Sequence, residues 1–283
     1  MVSTVAGGTA NEPLTGASGR SVEAVEVEEL TVQFDQVTAL AAISHRFEPG
    51  TSTAVMGVNG SGKTTLLECL AGLQEPGSGS IRGMSENLAY VCQHGPANWM
   101  PVTAGEVLAM GRYRKRGLLG RFRSGDRAAM QRAAQRLDID GLRSRSFGEL
   151  SGGQQQRVRI AQALAAEPDV IMLDEPITGL DIPSQERILT MVGDCAAEGA
   201  VVIITTHHLD EARSCDSVML LANRLVAAGT PEEVLTPSRL RDAFGQRLAS
   251  DPAGGGADPS REAMVLDEHG HGDHTLPGSC RHA

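Results

Sequence analysis

Apolar residues in this chain follow two rhythms. Short runs at Thr53-Ala54-Val55-Met56, Leu88-Ala89-Tyr90-Val91, Val170-Ile171-Met172-Leu173, Val201-Val202-Ile203-Ile204 and Val218-Met219-Leu220-Leu221 predict strands. The runs at Val170 and Val201 are continuous, as in parallel strands buried on both faces. Helical patterns alternate with them: Leu66 to Leu73, about Gly105 to Met110, Asp126 to Leu137, Gln155 to Ala166, and a stretch ending near Ala197. Ala129, Ala133 and Leu137 recur at helical spacing. Ahead of the first run, Val25-Glu26-Val27, Leu30-Thr31-Val32 and Ala39 to Phe47 predict strand segments, the last closing at the turn Glu48-Pro49-Gly50. Glu75-Pro76-Gly77-Ser78-Gly79-Ser80 predicts a turn, Leu225-Val226 a late strand, and a final helical stretch ends near Gly245. The fold class expected is α/β.

The two ends lack these rhythms. Residues 1–21 are rich in Gly, Ser, Thr and Ala and are expected to be a disordered extension. After Gly245 the composition turns to Gly, Pro, Asp and Ser, which predicts a flexible tail over residues 246–283. That tail holds His269, His271, His274, Cys280 and His282, with Asp267, Glu268 and Asp273 close by. Such spacing suits a loose Zn²⁺ site, and equally a plain hydrophilic tail.

The chemistry concentrates where the first central strand meets its helix. Gly57-Val58-Asn59-Gly60-Ser61-Gly62-Lys63-Thr64-Thr65 fits the phosphate-loop pattern G-x-x-x-x-G-K-[ST]. Its glycines let backbone N–H groups curl around a polyphosphate at the helix N-terminus. Lys63 can reach the β- and γ-phosphates, and the Thr64 hydroxyl can ligate Mg²⁺. The chain has only two lysines, Lys63 and Lys115, which makes a chance lysine here improbable.

Other candidates gather at strand ends. Val170 to Leu173 delivers Asp174 and Glu175 to the C-terminal edge where open α/β sheets bind ligands, one suited to Mg²⁺ and the other to an attacking water. His207 follows the Val201 strand to the same edge, which favours the γ-phosphate over a merely structural role. Gln93 closes the Leu88 strand. Ser151-Gly152-Gly153-Gln154 opens a helix with Ser151 as N-cap, a second anion-binding N-terminus. Two such sites can bind two ends of one ligand, or half of each of two ligands across a dimer. Phe34 can stack on an adenine ring or face the core. Arg112, Arg114, Lys115, Arg116, Arg121 and Arg123 form a basic cluster that suits acidic lipid headgroups, a partner's acidic surface, or plain solvation.

Composition narrows the classes. Aromatic content of 3% and a net charge of −10 argue against base-stacking and phosphate-backbone readers, so no nucleic-acid partner is expected. No apolar run approaches the roughly 18–20 residues that cross a bilayer, and Met1 to Gly19 has no secretory pattern. Cys69, Cys92, Cys195, Cys215 and Cys280 are scattered without C-x-x-C spacing, as reduced cytoplasmic thiols are.

From about Val22 to Gly245 these residues together resemble the ATP-binding cassette of ABC transporters. Gly57 to Thr65 matches the Walker A loop, Gln93 the Q-loop glutamine, and Leu150 to Gln154 the ABC signature. Val170 to Glu175 matches Walker B with the catalytic glutamate, Gly179-Leu180-Asp181 the D-loop, His207 the switch histidine, and Phe34 the adenine-stacking aromatic. His208 departs from the pattern, which often has aspartate there. The segments Pro101-Val102-Thr103, Met110-Gly111-Arg112-Tyr113 and Pro231 to Phe244 look like the zinc and manganese importer branch.

The resemblance implies a P-loop NTPase of the ABC type, with an N-terminal antiparallel β subdomain and an inserted helical subdomain at about 95–165. It implies an ATPase using ATP and Mg²⁺, peripheral on the cytoplasmic face of the cell membrane, and driving import of a divalent metal ion, zinc ahead of manganese. Two copies would close head to tail, each ATP lying between Lys63, Thr64, Thr65, Asp174 and Gln93 of one and Ser151, Gly152, Gly153 and Asp181 of the other. Thr64, Gln93 and Asp174 would hold Mg²⁺, Glu175 would polarise water, and His207 would hold the γ-phosphate. Permease subunits would press near Gln93 to Thr103, including Trp99, and an extracytoplasmic metal-binding protein would act indirectly. Two rivals remain: an ABC ATPase without a transport role, which usually has two cassettes or coiled-coil arms, and a metal-responsive regulator acting through the histidine tail.

Overall fold

The computed structural model describes residues 22–92, 101–116 and 121–245. In chain order the elements are β1 (Val25–Phe34), β2 (Val37–Phe47), β3 (Thr51–Met56), α1 (Lys63–Leu70), β4 (Ser78–Arg82), β5 (Leu88–Val91), α2 (Ala104–Met110), α3 (Tyr113–Arg116), α4 (Ser124–Arg136), α5 (Gly152–Ala165), β6 (Val170–Leu173), α6 (Ile182–Ala197), β7 (Val201–Thr206), α7 (Leu209–Arg213), β8 (Ser217–Leu221), β9 (Leu225–Gly229), α8 (Pro231–Val234) and α9 (Pro237–Phe244). Single 3₁₀ turns at Asp140–Leu142 and Phe147–Glu149 lead into α5.

Two sheets share the work. An antiparallel sheet runs β2-β1-β4, and a larger sheet runs β5-β6-β7-β3-β8-β9. The larger sheet is parallel from β5 through β8, and β9 closes its edge antiparallel. Both faces of its central strands are covered, so their side chains alternate between two cores. Val55, Met172, Ile203, Met219 and Leu221 face the antiparallel sheet and the apolar side of α1, Leu66, Leu67 and Leu70. Ala54, Met56, Ile171, Leu173, Val202, Ile204 and Leu220 face the helical side, with Val158 and Ile160 of α5 and Ile188 and Met191 of α6. This two-sided burial explains why β6 and β7 read as unbroken apolar runs.

Between β5 and β6 the chain makes α2 to α5. Thr103 and Glu106 cap α2 reciprocally, and Ser151 and Gln154 do the same for α5. Buried Ala129 and Ala133 on the inner face of α4, and buried Leu137 at its C-cap, keep the predicted spacing.

Several local expectations need correction. The segments at Val25 and Leu30 are one strand, β1, whose register against β2 slips between Val27 and Leu30. Glu29 and Ala42 take positive φ at this irregularity, 49° and 47°. Ser78-Gly79-Ser80 is not turn but the start of β4, paired with Glu28 and Thr31 of β1. Only a glycine fits at 79, because a Cβ there would lie 2.6 Å from the carbonyl oxygens of Glu28 and Glu29. α1 begins at Lys63 rather than Leu66, so the lysine and both threonines belong to its first turn.

Arg112 is a further correction. It does not belong to a solvated basic cluster but is buried: its guanidinium donates to Asp126 Oδ1 at 2.8 and 3.0 Å, to the Ala165 carbonyl at 2.8 Å, and to Glu167 Oε2 at 2.9 Å. It ties the end of α2 to α4 and to the α5–β6 connection.

Candidate functional site

The phosphate loop hangs from the end of β3. Gly62 takes φ +98° immediately before α1, and Gly60 φ +82°. Both values lie where L side chains are strained. Gly57 is fixed by contact instead: a Cβ there would stand 2.2 Å from the Leu221 carbonyl oxygen and 2.5 Å from Ser61 Oγ.

The first turn of α1 then presents two side chains to the strand ends. Lys63 Nζ donates to the carbonyls of Gly57 at 2.9 Å and Val58 at 3.3 Å, and lies 3.6 Å from Glu175 Oε1. Thr64 Oγ1 donates to Asp174 Oδ2 at 2.8 Å. Asp174 is buried at the end of β6, while Thr64 is exposed.

Glu175 bends out of the strand with φ +46°, a strained value for a residue with a Cβ. Its Oε1 lies 3.5 Å from His207 Nδ1, and its Oε2 accepts from Thr178 Oγ1 at 3.3 Å. The hydrogen bond from His207 lowers the Glu175 pKa below the usual carboxylate value, and the charges of His207 and Lys63 add to it against the opposing effect of burial. Glu175 is therefore an ionised carboxylate beside two cationic or proton-bearing groups.

Sequence reasoning missed Thr205. The parallel register sets Leu173 beside Ile204, so the next residues of β6 and β7 meet as well. Thr205 Oγ1 donates to Asp174 Oδ1 and accepts from the Glu175 N–H at 2.8 Å. One hydroxyl thus holds the Asp174 carboxylate and the Glu175 backbone; a threonine one residue past an apolar run was the available signal.

The other candidates lie as follows. Phe34 stands at the end of β1 with its side chain 45% exposed, which removes the core-facing alternative. Its hairpin reaches the loop through β2, since a Cβ on Gly62 would lie 2.6 Å from the Ala39 carbonyl oxygen. Asn59 is exposed beside Gly60, and Thr65 is half-buried in the first turn of α1. Ser151 and Gly152 are exposed at the start of α5. Gly153 is buried there beside Asp181 and Ser184. Asp181 caps α6 by accepting from the Ser184 N–H at 2.8 Å, and that bond lowers its pKa. Gln93, Trp99 and the tail histidines His269, His271, His274 and His282 lie outside the described residues.

The donor set fits its expected ligands. Ser61 Oγ is buried without a hydrogen-bond partner, beside positive-φ glycines and a helix N-terminus, as an anion-binding loop requires. Thr64 and Asp174 offer hard oxygen donors suited to Mg²⁺. Among the described residues no three His, Cys, Asp or Glu side chains gather as a metal site, and no helix is long and apolar enough to cross a membrane.

A phosphate loop, a lysine and an acidic strand end on a doubly covered parallel sheet define a P-loop nucleoside triphosphatase. The ABC transporter family matches residues 40–178. The manganese transport system ATP-binding protein MntA of Synechocystis is 35% identical over 233 residues, covering 78% of this chain and 90% of that protein. The zinc transport system ATP-binding protein TroB of Treponema pallidum is 32% identical over 236 residues, covering 80% and 89%. A solved structure described as an inward-facing putative metal-chelate type ABC transporter superposes with a TM-score of 0.71 at 28% identity, covering 78% of this chain and 88% of that one. The chain belongs to the ABC transporter ATP-binding family, and is an ATPase of that family.

Proposed function

We propose that this chain is the ATP-hydrolysing subunit of an importer for a divalent transition-metal ion. The observation that carries the catalytic part is the placement of the Glu175 carboxylate 3.6 Å from Lys63 Nζ and 3.5 Å from His207 Nδ1, directly after the strand-end Asp174. Metal import is supported by likeness to relatives named for manganese and zinc transport.

Phosphoryl transfer needs positioning and charge stabilisation more than covalent chemistry. The N–H groups of the Gly57–Thr65 loop and Lys63 bind the β- and γ-phosphates, with Phe34 against the adenine. Thr64 and Asp174, together with Gln93, would hold Mg²⁺, which would neutralise charge on the phosphate oxygens. Glu175, ionised, with its backbone held by Thr205 and its carboxylate by Thr178, accepts a hydrogen bond from the attacking water and draws its proton. His207 keeps the γ-phosphate and the water in line.

Ser151 and Gly152, exposed at the α5 N-terminus, complete the site of a second copy packed head to tail, with Gly153, Gln154 and Asp181 behind them. The γ-phosphate bridges the two copies, and its loss on hydrolysis lets them part. That motion passes to permease subunits at the cytoplasmic face of the membrane. The working unit in this reading is residues 22–245, with the tail of residues 246–283 as an accessory Zn²⁺ ligand. The ATPase core does not line the path of the transported ion, so the ion is identified by uptake. Cells lacking this chain should lose uptake of radiolabelled manganese or zinc, and the parental chain but not Glu175→Gln should restore it. Unchanged uptake of both ions in the deletion would refute metal import.

A further inference from the structure

The turn between β8 and β9 does more than reverse the chain. Asn223, half-buried at its tip with φ +56°, reaches the phosphate loop and the antiparallel sheet at once. Its N–H donates to the Ser61 carbonyl at 2.8 Å, and its side-chain amide donates to the Gly60 carbonyl at 3.0 Å and to the Ala39 carbonyl at 3.0 Å. Its own carbonyl accepts from the Ala41 N–H at 2.7 Å. We propose that Asn223 is a positioning residue for nucleotide binding, clamping the Gly60 and Ser61 carbonyls so that the loop is already curled for phosphate and set against the β1–β2 hairpin.

The reason lies in peptide geometry. The C=O and N–H of a trans peptide point in opposite directions. Holding the Gly60 carbonyl outward turns the Ser61 N–H inward, where it closes on the Val58 carbonyl at 3.0 Å. Holding the Ser61 carbonyl sends the Gly62 N–H to the opposite side, where a helix N-terminus meets an anion. Without the clamp, a loop with positive φ at Gly60 and Gly62 would have more conformations to give up on binding. Asparagine suits both demands: it tolerates the left-handed region, and its NH₂ group has two donors for two carbonyls. Because Ala39 and Ala41 belong to β2, the same side chain fixes the hairpin carrying Phe34 relative to the loop.

This inference rests on the nucleotide site and not on metal import. Binding of Mg-ADP by the unsubstituted full chain reads that site itself, and the ratio of variant to parent reads Asn223. Asn223→Gly keeps the backbone conformation and the main-chain bonds while deleting the amide. It should raise the calorimetric Kd for Mg-ADP and the KM for ATP about five- to tenfold, the effect of two lost hydrogen bonds, and leave kcat at saturating ATP close to parental. Asn223→Asp, isosteric but facing two carbonyl oxygens with a carboxylate, should weaken binding further. Melting curves run on both variants separate folding from binding. Parental Kd and KM in both variants would overturn the proposal, whether or not their melting temperatures fall; so would a kcat that falls as steeply as KM rises.

Discussion

Lys63 and Glu175 face each other at 3.6 Å across the mouth of the phosphate loop, their side chains only 6% and 10% exposed. Each has other partners, Lys63 the Gly57 and Val58 carbonyls and Glu175 the hydroxyl of Thr178. The proposed phosphate-binding cation and water-activating carboxylate are therefore held as one unit, from α1 and from the end of β6.

The loop's tolerance is tightest at Gly57. A Cβ at 2.2 Å from a backbone oxygen of β8 cannot be relieved by rotating a side chain. Gly57→Ala should lower the unfolding free energy by about 2–3 kcal/mol, as overpacking does, and abolish nucleotide binding. Chemical denaturation and Mg-ADP titration measure the two effects.

Asp126 is fully buried and accepts from the Arg112 guanidinium and from the Arg123 N–H at 2.8 Å. Removing one member of a buried pair leaves a charge uncompensated. Asp126→Ala should cost about 3 kcal/mol in urea denaturation. Arg82→Ala, which breaks only an exposed pair with Glu28, should cost less than about 1 kcal/mol.

Glu211 of α7 supplies a pH-dependent prediction. Burial pushes its carboxyl up from 4.5 to about 7, so the folded protein keeps a proton that the unfolded chain releases. Stability from this group is full below pH 4.5, declines as pH rises to about 7, and stays reduced above it. Glu175, with a depressed pKa, acts in the opposite sense: its contribution is present above the unfolded value and is lost as pH falls through the folded one. Glu211→Gln should therefore gain stability relative to the parent between pH 5 and pH 8, on the order of 2–3 kcal/mol. Denaturation at the two pH values reads the difference directly.

The sequence was most legible where local chemistry decides structure. The buried parallel strands, the loop from Gly57 to Thr65 and the Ser151 cap depend on residues near one another in the chain, and the structure forms them. What stayed hidden depends on distant neighbours. Gly79 joins a strand because Glu28 and Glu29 lie across from it. Arg112 is buried because Asp126 and Glu167 converge on it from other elements, so a run of basic residues misled. Thr205 and Asn223 carry no motif; only the register of β6 with β7, and the reach of the β8–β9 turn back to the loop, bring them to the site.

The proposed composite ATP site is tested most directly by Glu175→Gln, followed by sedimentation and turnover of the full chain with and without ATP. Glutamine keeps the shape of Glu175 and removes its ability to take a proton. ATP should bind with near-parental affinity while turnover falls by about a hundredfold or more, as loss of a general base does. The variant should sediment as a dimer with ATP and as a monomer without it, and adding Ser151→Arg should abolish the dimer while leaving ATP binding intact. Hydrolysis by Glu175→Gln at the parental rate, or a monomer in saturating ATP, would contradict the site as assigned.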